Sequence, residues 1–172
     1  MKLEIKIINA AQTFPVRHPE LREGKPVESC SFEGDLLENT LHIGAYLGLE
    51  LVGVASFMKQ PGYFPSEKNP LLVQHENSAP KQLYEMQLRG MAVLKAHHKK
   101  GIGAAILRFG ERKINERGLS GIWMNARIKA VGFYEKLGYC IHGNEFEIQG
   151  VGAHFKMRKK IDKYAALLSI SG

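Results

Sequence analysis

His98-Lys99-Lys100-Gly101-Ile102-Gly103-Ala104 is a basic segment with two closely spaced glycines. Before it, Gln82 to Val93 reads as a strand, and after it Gly103 to Arg117 reads as an amphipathic helix. A basic, glycine-containing turn therefore opens directly onto a helix N-terminus. The first amides of a helix have no partner within it, and the helix dipole favours negative charge there. Glycine leaves no Cβ in the way of a ligand approaching the backbone. The turn thus predicts a phosphate-bearing ligand. It is not a Walker loop, because no Lys-Ser or Lys-Thr follows the second glycine. It is not a dinucleotide fingerprint either: the third glycine is missing, and no acidic residue closes the next strand at Trp123 to Ala126.

Outward from the turn, apolar periodicity assigns the elements. Leu3, Ile5 and Ile7 alternate with Lys2, Glu4 and Lys6, which predicts a half-buried strand. Ala11 to Leu21 predicts a partial helix interrupted by Pro15 and Pro19. Thr40 to Leu47 and Glu50 to Met58 predict an antiparallel hairpin turning at Gly48. Lys59 to Pro80 predicts a long surface loop. In the central helix, Ile102, Ile106, Phe109 and Ile114 share one side, while Arg108, Glu111, Arg112 and Glu116 face elsewhere. Gly121 to Ala126 predicts a buried strand, with Trp123 in the core, and Ile128 to Leu137 a second helix stopped by Gly138. Tyr139 to Ile148 and His154 to Met157 predict a closing hairpin. The expected fold is α/β of mixed type: a mostly antiparallel twisted sheet with a strand-helix-strand crossover and flanking helices.

At 172 residues the chain is expected to be one domain over 1–172, with 159–172 a C-terminal tail. The net charge of +7 comes from spread residues and two clusters, Lys95 to Lys100 and Lys156 to Lys160. The second cluster reads as a solvated tail. Cys30 and Cys140 form no disulfide framework or metal-ligand spacing. No apolar run reaches membrane-span length, and MKLEIKIINA lacks a signal peptide's apolar core, so a cytoplasmic location is expected. No nucleic-acid recognition motif accompanies the positive charge, so neither nucleic acid nor a membrane is an expected partner.

Three segments in order, Arg89-Gly90-Met91-Ala92-Val93, the 98–103 turn, and Phe133-Tyr134-Glu135-Lys136-Leu137-Gly138-Tyr139, resemble the GNAT superfamily of acetyl-CoA-dependent N-acetyltransferases. The resemblance spans Leu83 to Lys159 and implies a GNAT fold with a splayed strand pair, acetyl-CoA as cosubstrate, no metal, and direct acetyl transfer to a primary amine of a small molecule or peptide. It implies that Met91, Ala92 and Val93 hold the pantetheine arm. The amides of His98, Lys99, Lys100, Gly101, Ile102, Gly103 and Ala104 would hold the pyrophosphate, and Tyr134 would act as general acid toward the departing thiolate. His98 stands where the family usually has Arg or Gln. Arg127 replaces a frequent Asn, for which Asn125 is the substitute. Candidate bases are Glu85, His154 and His42, with bound water as an alternative. A non-catalytic acyl-CoA-binding module is the competing reading, and a homodimer is left open. The acceptor side is expected from Ala11 to Glu38 together with the 59–80 loop, where Arg17, Arg22, Glu20, Glu33 and Asp35 are candidates either to recognise a charged substrate or to form a solvated surface.

Overall fold

The computed structural model describes residues 2–61, 84–119 and 121–161. Ten elements follow in chain order: β1 (Leu3–Ile8), α1 (Phe14–Leu21), β2 (Leu41–Leu47), β3 (Glu50–Pro61), β4 (Tyr84–Val93), α2 (Ile102–Glu116), β5 (Gly121–Arg127), α3 (Val131–Glu135), β6 (Cys140–Ile148) and β7 (Gly152–Lys160). The strands form one sheet in the order β1-β2-β3-β4-β5-β7-β6. Every pairing is antiparallel except β4 with β5, the pair that α2 connects. A parallel pair needs such a crossover.

Helices cover both faces of the sheet. Val54 and Ala92 meet Val16 of α1 on one face. Ala55 and Phe57 meet Ile106, Leu107 and Ile114 of α2 on the other. The two-residue period of β3 thus serves two layers. Gly110 lets α2 approach the sheet, because a Cβ there would lie 2.5 Å from the Phe57 ring. Phe109 consequently sits at the rim, under Arg112 and Lys113, and Leu107 takes the buried place expected of it.

Most sequence boundaries agree to within two residues, and the departures have physical reasons. Both prolines lie inside α1: Pro15 occupies the first turn, where no amide partner is needed, and the helix ends soon after Pro19. The second helix is shorter than expected. Ile128–Ala130 is 3-10 helix, and only Val131–Glu135 is α-helical, with Gly132 a poor helix former at its second position. Lys159 and Lys160 are not tail but the end of β7, paired with β5. The second basic cluster is therefore no solvated run. Lys159 donates to both carboxylate oxygens of Glu111 at 2.9 and 2.8 Å, and Tyr139 donates to the same carboxylate at 3.0 Å. Glu111 thereby faces β7 and ties α2 to it. Most of the 59–80 loop, Gln82 and Leu83, and the tail beyond Ile161 lie outside the described residues.

The feature that positions the site is a gap. β4 and β5 pair only at Met86 with Ile122 and Gln87 with Trp123, then separate. On its other side β4 skips register between its pairings at Arg89 and Ala92. Gly90 makes this bulge, with φ +58°. A bulge increases local twist and bends the strand, here turning the end of β4 away from β5.

Candidate active site

The separated strands leave the β5-facing edge of Leu88 to Val93 without a ladder partner, so its backbone polar groups are open to a ligand. Two hollows meet along this edge. The first, about 770 Å³, runs from Met91 and Val93 to the N-terminus of α2. The second, about 480 Å³, lies on the opposite side, between Phe32, Arg89, Asn125 and His154. Met91, Arg127, Ala130 and Tyr134 line both.

In the first hollow the turn is built around positive φ angles at Lys99 (+59°) and at Gly101 (+78°), the N-cap of α2. No side chain caps this helix and no acid lies in its first turn. The first helical bond is from the Ala105 amide to the Gly101 carbonyl, at 3.0 Å. The amides of Gly101, Ile102, Gly103 and Ala104 therefore have no acceptor within the helix. Together with the dipole they make a cradle for an anion. Gly103 keeps it open, since a Cβ there would lie 3.1 Å from Met91 Cε and 3.2 Å from the Phe133 ring. His98 folds back, donating from Nε2 to the Val93 carbonyl at 2.7 Å. Lys100 donates to the Ala96 carbonyl at 3.0 Å and is not part of the wall, whereas Lys99 is.

Tyr134 stands where the hollows join. Its hydroxyl donates to Met91 Sδ at 3.7 Å, and its ring meets Phe133 and Tyr139 edge-on at 5.1 and 5.9 Å. Desolvation in these apolar surroundings pushes its pKa up to about 12, so it is a neutral phenol at physiological pH. Tyr139 is held neutral more strongly still, by burial and then by the Glu111 carboxylate.

The three candidate bases are placed differently. Glu85 is buried beyond both hollows and takes Arg158 Nε at 2.9 Å on Oε1, with Arg158 Nη2 on the same oxygen. His42 lies beneath the sheet surface. Its Nε2 donates to the Asp35 carbonyl at 2.8 Å, and Ser56 Oγ lies 2.6 Å from Nδ1. His154 lines the second hollow, as does Asn125. Its Nδ1 donates to the Gly152 carbonyl at 2.6 Å, and a carbonyl can only accept. In the neutral ring the free lone pair therefore sits on Nε2.

Arg17 and Asp35, expected to meet a charged substrate or solvent, instead form a buried network beneath the second hollow, whose pairing sequence reading missed. Arg17 is fully buried and donates to Asp35 Oδ2 at 2.5 Å, Asp35 Oδ1 at 3.2 Å, Ser56 Oγ at 2.6 Å and the Cys30 carbonyl at 2.8 Å. Its guanidinium stacks 4.3 Å from the centre of Phe32, a wall of the hollow. These partners are 13 to 39 residues apart in sequence, so no local spacing signals them.

A family model described as an acetyltransferase (GNAT) domain matches residues 25–161. The chain belongs to the GNAT acetyltransferase family. Among GNAT relatives it is similar to the uncharacterized N-acetyltransferase YitI of Bacillus subtilis (strain 168), 34% identical over 159 residues that cover 92% of this chain and 97% of the relative. The GNAT fold is shared with a solved aminoglycoside 6'-N-acetyltransferase complexed with coenzyme A (TM-score 0.66, 17% identity, 92% and 97% of the two chains). It is also shared with the Escherichia coli ribosomal-protein-S18-alanine N-acetyltransferase (TM-score 0.65, 15% identity, 94% and 95%). Among the described residues no helix is long and apolar enough to cross a membrane, and no cluster of His, Cys, Asp or Glu could hold a metal.

Proposed function

We propose that this GNAT protein transfers an acetyl group from acetyl-CoA to a primary amine of a small molecule or peptide. The observation that carries the reading is Tyr134 at the junction of two hollows, one ending in an uncapped helix N-terminus and the other walled by His154. Acetyl-CoA supplies an acyl thioester and a thiolate leaving group. The amides of Gly101 to Ala104 hold its phosphates, with Lys99 beside them. The open edge at Met91 to Val93 offers main-chain hydrogen bonds to the pantetheine arm and a donor to the thioester oxygen, where charge develops. His154 Nε2 accepts the proton that the amine loses as its nitrogen bonds to the acyl carbon. Tyr134 gives its proton to the sulfur as the carbon–sulfur bond breaks, and is reprotonated from solvent. A phenol with its pKa raised to about 12 stays loaded with that proton at neutral pH.

The test is release of free thiol from acetyl-CoA against a panel of amines, with CoA affinity measured in parallel. Tyr134→Phe is expected to keep CoA affinity and to lose turnover by about 10²-fold or more, the usual scale for a general acid. Wild-type turnover in that variant would overturn the assignment of Tyr134. CoA binding without thiol release for any amine would favour a binding module. Equal affinity for ATP and CoA would point to a generic nucleotide site.

A further inference from the structure

The second hollow has an uneven charge. Arg22, Arg89, Arg127 and Lys129 line it, and no Asp or Glu is among its described lining residues. Arg127 and Lys129 also face the first hollow, but Arg22 and Arg89 line only the second. Both sit on the ring of Phe32, with guanidinium carbons 4.9 and 5.5 Å from its centre. The ring's third cation, Arg17, is neutralised by Asp35, whose Oδ2 also takes the Phe32 amide at 2.9 Å. That carboxylate is therefore spent. Among the described residues, Arg22 and Arg89 donate only to neutral acceptors. Arg22 donates from Nε to the Ser29 carbonyl at 3.1 Å and from Nη1 to the Leu21 carbonyl at 3.0 Å. Arg89 donates from Nη1 to the Glu33 carbonyl at 3.1 Å and toward Met58 Sδ at 3.7 Å. No described carboxylate lies within ion-pair distance of either.

These contacts hold Arg22 by Nε and Nη1 and Arg89 by Nη1 alone. Nη2 of Arg22, and Nε and Nη2 of Arg89, have no partner among the described residues. Two half-buried like charges over one ring repel each other, and an anion placed between them removes that repulsion. The planar guanidinium is the side chain suited to bidentate capture of a carboxylate or phosphate. A hollow of about 480 Å³ suits a small molecule.

We infer that the acceptor is a primary amine carrying an anionic group, a carboxylate or a phosphate, which Arg22 and Arg89 hold while the amine nitrogen reaches Tyr134 and His154. The inference rests on the transferase reading for its amine and on the arginine pair for its anion. Polycations, including aminoglycosides and polyamines, are excluded by the same charge.

The test compares matched amines: glycine with glycinamide, and phosphoethanolamine with ethanolamine, with spermidine as the polycation. Thiol release from acetyl-CoA and calorimetric binding to the CoA-bound protein are both read. The anionic member of at least one pair is expected to have the higher kcat/KM; which pair responds separates carboxylate from phosphate. Arg22→Gln and Arg89→Gln are each expected to raise its KM by about 10- to 100-fold, the scale of a lost charge-assisted contact, with the KM for acetyl-CoA unmoved. Faster turnover of the neutral or polycationic member, or an unmoved KM in both variants, would overturn the anion subsite and leave the transferase reading standing. Arginine-dependent binding of the anionic amine without thiol release would keep the subsite and overturn the transferase. Neither binding nor turnover of an anionic amine, with CoA bound, would overturn the inference outright.

Discussion

One hydroxyl of the site gives the fold part of its sensitivity to alkali. Tyr134 titrates from 10.0 in its ordinary setting to about 12 in the fold, by desolvation. Between those values the unfolded chain has released a proton that the folded chain still holds. The unfolded state binds fewer protons, so stability falls as pH rises through that window, by up to about 1.4 kcal/mol per pH unit. Below pH 10 the phenol is neutral in both states and contributes no slope. Tyr134→Phe is therefore expected to lose part of the alkaline decline in melting temperature, while Tyr139, shifted the same way, retains the rest. Parallel stability curves for the variant and the wild type above pH 10 would mean that the phenol is not desolvated. The tyrosine was legible in sequence because it lies in a short motif, three residues after Val131 and five before Tyr139. Glu85 read equally well as a strand carboxylate. Its neutralisation by Arg158, 73 residues later, depends on strand order and could not be read locally.

At the scale of elements, the site depends on one strand leaving its neighbour. Gly90 has φ +58°, and a Cβ there would lie 2.7 Å from the Phe32 ring and 2.8 Å from Arg17 Nε. Neither neighbour can yield easily: Arg17 is locked by Asp35 and Ser56, and Phe32 is stacked on Arg17. Gly90→Ala is expected to cost about 2–4 kcal/mol in urea unfolding, from left-handed backbone strain plus overpacking. A loss within about 0.5 kcal/mol, ordinary for a surface change, would show that the bulge is soft. The strands themselves were legible, because apolar alternation in Leu3–Ile8 and the continuous apolar run Gly121 to Met124 differ as half-buried and buried strands do. The bulge was not. Arg89-Gly90-Met91 reads as unbroken strand, and only the register against β3 shows the missing pair. The short α3 was misjudged in length for a related reason: apolar spacing cannot distinguish a 3-10 turn from the first turn of an α-helix.

Among the described residues, seven strands and three α-helices bring one uncapped helix end and one arginine-lined hollow to opposite sides of the same open strand edge. Order along the chain made the first half of that arrangement readable, since a glycine turn between strand and helix is local. The second half is assembled from α1, the segment around Phe32, β4 and the β6–β7 turn, and only the folded sheet brings these together. Acetyl-CoA, reaching from β4 and the N-terminus of α2 to Tyr134 of α3, likewise meets groups that only the folded chain brings together, so it binds the native state and not the unfolded chain. Acetyl-CoA at about 100 times its Kd should then stabilise the fold by about 2.7 kcal/mol, which for a chain of this size is a rise of about 5–10 °C in melting temperature. Gly103→Val separates binding from folding. Its side chain would enter the groove between Met91 and Phe133, which can shift on the solvent side, so the unliganded protein should melt near the wild type. With the groove narrowed and the amide cradle screened, acetyl-CoA should no longer raise that temperature. An undiminished rise in Gly103→Val would place the cosubstrate away from the N-terminus of α2, and the roles given to Met91 and Tyr134 would fall with it.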